Sequence, residues 1–202
     1  MIYDDLNVIF PEIFLSVYAM VALLGVVYTS KDELAKRVTW VTAFIFILVA
    51  FLIIFSEEKT EIAFGGMFIN DAFSRFSKII ILLSAAVVLV MGQDYMSRRG
   101  FLRFEYPLIV TLSVVGMMVM VSAGDLMSLY MGLELQSLAL YVIAAFKKDS
   151  VKSTEAGLKY FVLGALSSGL LLYGSALVYG YSGTTLFSGI LSNVSTDAPS
   201  LG

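Results

Sequence analysis

Residues 126–146 read LMSLYMGLELQSLALYVIAAF, twenty-one residues with a single ionisable carboxylate, Glu134, near the middle. A helix needs about 20 predominantly apolar residues to cross the hydrocarbon of a bilayer, so this stretch reads as a membrane span with an acid inside it. A charged side chain at that depth costs about 2.5–3.5 kcal/mol on insertion scales, and the residue is expected to face a bundle interior or a hydrated cavity rather than lipid. On a helix Tyr130, Glu134, Ser137 and Tyr141 share one face, making a polar stripe on an otherwise apolar rod.

Working outward, five further apolar runs cover residues 9–28, 38–55, 73–92, 106–123 and 154–181, separated by brief polar connectors. The whole chain is 59% hydrophobic and 14% charged, too apolar and too weakly charged for a water-soluble domain. The fold class is therefore an all-α integral membrane protein, a bundle of six transmembrane helices over residues 1–181 followed by a tail at 182–202. Continuous runs favour helices over a barrel, whose strands would alternate in stretches of about ten residues. Asp4 and Asp5 stand where a cleaved signal peptide would carry basic residues, so none is expected.

Lysine and arginine bias in short loops sets orientation. Lys31, Lys36 and Arg37 fall in the first connector, Arg98, Arg99 and Arg103 in the third, and Lys147, Lys148 and Lys152 in the fifth. The opposite side holds Lys59, with Arg75 and Lys78 at the entrance to the third run, where both are expected to snorkel to the interface. This alternation puts the basic loops in the cytoplasm and both termini on the outer, periplasmic side.

The chain contains no cysteine and no histidine, which removes disulfides, thiolate metal sites and the usual histidine proton shuttle. Proton chemistry falls to carboxylates, lysines and water. The basic loops form no stripe with interleaved aromatics, so no nucleic-acid partner is indicated, and no Walker loop, dinucleotide glycine motif or metal cluster is found. Met117, Met118 and Met120 are expected to fill gaps in the bundle.

Of the titratable groups, Glu134 is read as the deepest charge and as a switchable proton site. For Tyr130, Ser137 and Tyr141 the favoured reading is interhelical hydrogen bonding, worth about 0.6 kcal/mol each on average. Lys159 lies about four to six residues inside its run and supports two readings, a proton-path group or a snorkelling lysine paired with Glu155 at the favourable i,i+4 spacing. Pro11 and Glu12 read as helix-start features and Asp125 as a helix N-cap. Gly164 with Ser168, and Ala165 with Gly169, fit the small-xxx-small spacing of close helix packing.

The stretch DLMSLYMGLELQSLALYVIAAFKKDSVKSTEAGLKYFVLGALSSGLLLYG at 125–174 resembles the subunit N family of proton-pumping NADH:quinone oxidoreductase, respiratory complex I. LELQSLALY, the basic turn and EAGLKYF come in the family's order, and PEI at 11–13 and DAFSRF at 71–76 also fit. The resemblance implies the first part of an antiporter-like fold in a bacterial inner membrane, moving protons while other subunits, with FMN, iron–sulfur clusters and quinone, carry the electrons. It implies no cofactor in this chain and, as partners, the other membrane-arm subunits. On that likeness Glu134 corresponds to the glutamate that modulates a channel lysine, and Lys159 to a basic residue on the proton path. Family chains continue into a second, inverted set of helices, so the sequence is expected to be a fragment or a split version, its tail a linker to missing spans. The alternatives are a subunit of a multi-subunit cation/proton antiporter and a non-transporting structural subunit.

Overall fold

A computed structural model describes residues 2–29, 34–56 and 59–197. The chain begins with α1 (Ile2–Val8), α2 (Phe10–Thr29) and α3 (Leu34–Ile54), then a two-stranded hairpin of β1 (Glu61–Ala63) and β2 (Phe68–Asn70). It continues through α4 (Ala72–Arg98), α5 (Glu105–Val121), α6 (Leu126–Ala144), α7 (Val151–Ser182) and α8 (Phe187–Asp197). Each of the six apolar runs coincides with one of the helices α2 to α7. Four of these, α3, α4, α6 and α7, are long and apolar enough to cross a membrane, while 10–25 of α2 and the whole of α5 are shorter apolar segments.

The local chemistry that starts and stops these helices is in the sequence. Asp71 and Ser74 form a reciprocal capping box on α4, with the Ser74 amide donating to Asp71 Oδ1 at 2.7 Å and the Asp71 amide donating to Ser74 Oγ at 2.9 Å. Asp125 caps α6 as expected, accepting from the Ser128 amide at 2.8 Å. Gly183 ends α7 in the left-handed conformation, φ 68°, which costs glycine nothing.

The core lies where α2, α3, α4 and α5 meet, built on Leu15, Phe46, Leu82, Leu89, Val114 and Met118. Met118 is fully buried and fills this centre. Burial then declines along the chain, and no residue in the most apolar stretch of α7 is buried. The tightest helix contact is α5 against α6. A Cβ added to Gly116 would stand 2.5 Å from the Gln136 amide nitrogen, and one on Gly132 would stand 2.7 Å from that of Met120, so the two backbones touch. Close packing was expected instead from the small residues of α7. There Gly164 does give space to α6, because a Cβ would overlap the Tyr141 phenol, whereas Gly169 and Gly174 have nothing within 4 Å.

Two connectors carry more structure than brief polar links would. The hairpin lies over the α5–α6 turn, with the Ile69 amide donating to Ser122 O and the Gly124 amide to Met67 O, both at 2.8 Å. The segment after α7 joins them through Leu126 N to Thr185 O and Phe187 N to Gly124 O, each 3.1 Å. Beyond it the tail forms α8, eleven residues and too short to span a bilayer. Three connectors are thus sewn together at one end of the bundle. At the other end Lys147 sits over the Phe101 ring at 5.7 Å and Tyr106 packs edge-on to Phe146 at 5.8 Å, which joins two of the basic loops. The third and fifth basic connectors thus share one end, while Lys31 of the first lies outside the described residues.

Candidate functional site

The α6 stripe faces α7. Tyr130 and Glu134, one turn apart, both reach Ser168 on the neighbouring helix: Ser168 Oγ donates to Glu134 Oε1, and Tyr130 Oη lies 3.0 Å from Ser168 Oγ. A serine hydroxyl has one proton, so when it donates to the carboxylate the phenol must donate to the serine. The order is Tyr130 to Ser168 to Glu134, a directional chain of hydroxyls ending on an acid. Ser168 entered the sequence reading only as a small packing residue. The signal that could have found it is the pairing of a hydroxyl on one span with an acid on the next.

The rest of the stripe plays other parts. Tyr141 packs edge-on to Tyr160 and Phe161 at centroid distances of 4.8 and 5.7 Å, above the notch left by Gly164. Ser137 makes no side-chain hydrogen bond among the described residues. Lys159 is exposed on α7 and pairs with Glu155, Nζ to Oε1 at 2.6 Å. It precedes Ser168 by nine residues, about 14 Å at the helical rise, so the lysine and Glu134 do not meet within this chain.

Glu134 is half-buried and is not the deepest charge. Asp125 at the α6 N-cap is fully buried, and Glu12 and Lys78 form a buried pair whose side chains are 2% and 3% exposed and whose Oε1 and Nζ lie 2.7 Å apart. Lys78 therefore does not snorkel to the interface, and Glu12 does more than open a helix. The lysine turns inward because a partner carboxylate waits on α2 and the Phe68 ring of the hairpin covers its ammonium at 4.8 Å. Both residues sit three to five positions inside their apolar runs from the same end. That matched depth was the readable sign of a pair.

Residues 123–201, spanning α6, α7 and α8, match the family model described as NADH:quinone oxidoreductase/Mrp antiporter, TM. The chain is 64% identical to NADH-quinone oxidoreductase subunit N of Jannaschia sp. over 95% of its own length. It is similar to the subunit N family. It spans about 40% of the length of the curated relatives it matches. Among solved structures, a chain of respiratory complex I from Thermus thermophilus superposes with a TM-score of 0.71 at 27% identity, covering 93% of this chain and 42% of that one. A chain of the Mrp complex from Dietzia sp. shares the fold at a TM-score of 0.72 and 21% identity, over 96% of this chain and 22% of the other. Tyr130, Glu134, Lys159 and Ser168 all fall inside the segment that the family model matches, whereas Glu12 and Lys78 fall outside it.

Proposed function

We propose that this chain moves protons across a bacterial inner membrane as part of an NADH:quinone oxidoreductase, with Glu134 as its working carboxylate. The observation that carries this reading is the Tyr130–Ser168–Glu134 chain, which joins α6 to α7 inside the matched segment. A carboxylate held at membrane depth has two charge states of comparable free energy only where protein or water surrounds it. A hydroxyl chain aimed at it supplies a path for one proton without moving the backbone. Lys159, itself paired with Glu155, would act from α7 on the charge of that carboxylate.

In this reading all six helices α2 to α7 cross the bilayer, with the hairpin end periplasmic and the basic loops cytoplasmic. Electron transfer, and with it FMN, the iron–sulfur clusters and quinone, belongs to other subunits, and the membrane-arm subunits flank the exposed face of α7. The absence of cysteine and histidine from the sequence supports leaving redox ligation elsewhere. The fold shared with the Mrp complex favours a second reading, a subunit of a cation/proton antiporter.

The test replaces Glu134 with Gln in the intact complex reconstituted in vesicles. NADH-driven acidification of the lumen is expected to fall while assembly is retained. Normal pumping from a normally assembled complex would remove Glu134 from the mechanism. Copurification with an enzyme that does not oxidise NADH would favour the antiporter reading.

A further inference from the structure

We propose that Glu12 and Lys78 form a second proton-exchange site, loaded from the hairpin end and separate from Glu134. The inference rests on the proton-moving reading above and extends it to the other half of the chain.

A cleft of about 380 Å³ opens between α1, α2, α3, α4 and the hairpin. Its wall is mostly apolar, from Phe14, Leu48 and Leu52, and its polar groups include Glu61, Asn70 and Arg75. Lys78 lines this cleft one turn further along α4 than Arg75. Lys78 thus touches the cleft and, at 2.7 Å, the buried carboxylate of Glu12. Glu12 Oε2 has no hydrogen-bond partner among the described residues, although it is buried. A permanent structural pair would normally satisfy that second oxygen, because an orphaned acceptor costs free energy. Packing alone also gives no reason for the pair, since apolar residues of similar volume stabilise an interior as well or better.

The charged groups facing Lys78 are Glu12 from α2, Arg75 on its own helix and Glu61 from β1, with the Phe68 ring from β2 and apolar side chains from α3. Loading is then a two-bond relay. An N–H bond of the Lys78 ammonium breaks as an O–H bond forms on Glu12, leaving a neutral amine and a neutral acid. Hydronium in the cleft gives its proton to the amine and becomes water. The pair has stored one proton and one positive charge, and the reverse sequence releases both.

Arginine separates this relay from a static ion pair, because it keeps the charge and the hydrogen bonds but does not give up its proton. The experiment compares Lys78→Arg, the neutral double variant Glu12→Gln with Lys78→Met, and Glu134→Gln, each in the intact NADH:quinone oxidoreductase in vesicles. Protons pumped per NADH oxidised and infrared difference spectra of protonated carboxyl groups are read together. The expected result is that Lys78→Arg assembles yet loses pumped protons per NADH, and that the double variant also loses one carboxyl band that Glu134→Gln retains. Normal pumping by Lys78→Arg, an unchanged carboxyl spectrum in the double variant, or failure of both to assemble would each overturn the proposal and make the pair structural. If only Glu134→Gln pumps normally, the first reading fails and the Glu12 band still decides this one.

Discussion

Tyr130 Oη and Ser168 Oγ lie 3.0 Å apart across the α6–α7 contact, and the serine passes its own proton toward Glu134. Ser168→Ala cuts that chain while keeping a good helix former on an exposed helix. The expected outcome is a complex that assembles normally, since the lost interhelical bond is worth about 0.6 kcal/mol, but pumps more slowly per NADH oxidised. Ser168→Thr keeps a hydroxyl and should restore pumping. Lumen acidification in vesicles measures both, and equal pumping by Ala and Thr variants would make Ser168 a packing residue only.

The backbone contact of Gly116 with Gly132 makes a different demand. A methyl group on either residue enters space occupied by the opposite main chain, so Gly116→Ala and Gly132→Ala should destabilise the chain by about 1–3 kcal/mol, the usual cost of overpacking. Gly169→Ala and Gly174→Ala meet nothing within 4 Å and should be neutral or slightly stabilising within this chain. Thermal unfolding in detergent, followed for all four variants, is the measurement.

The helices were legible because membrane spans declare themselves by length and apolarity, without reference to partners. Packing was less so. The residues at 164–175 advertised close contact through composition, yet backbone approach depends on which face meets which neighbour, and the decisive glycines were Gly116 and Gly132. The acid in α6 was conspicuous for being alone in its run, but its serine partner looked like any other small residue. Glu12 and Lys78 were hidden by proximity to helix ends, where charge is ordinarily cheap. Their burial follows from the hairpin folding over that end, and a connector of 55–71 that contains β strands has no signature in hydropathy.

Removing one member of a buried pair strands the other charge. Glu12→Ala or Lys78→Ala alone should therefore cost about 3–5 kcal/mol, whereas the double variant Glu12→Gln with Lys78→Met should recover most of that loss. A double-mutant cycle on thermal stability reads the coupling. Lys159 supplies the contrast. Its ion pair with Glu155 is solvent-exposed, with side chains 71% and 57% accessible, so Lys159→Ala should leave stability unchanged. Any effect of that substitution on pumping then reports on proton movement and not on folding.

The absence of cysteine lets topology be read one residue at a time. The hairpin, the α5–α6 turn and the segment after α7 are hydrogen-bonded to one another, and the loops holding Phe101 and Lys147 touch at the opposite end. If all six helices cross the bilayer, single cysteines at Glu61 and Thr184 should react with an impermeant maleimide from one side, and those at Arg103 and Lys148 only from the other. The basic loops place the first pair on the periplasmic face, so intact cells should label Glu61→Cys and Thr184→Cys and spare Arg103→Cys and Lys148→Cys. The discriminating case is α5, which joins the Arg103 loop to the α5–α6 turn and whose seventeen residues rise about 26 Å, a few ångströms short of a typical hydrocarbon core of about 30 Å. Labelling of Arg103→Cys from outside would mean that neither α4 nor α5 crosses, and the charge alternation would then have a different cause.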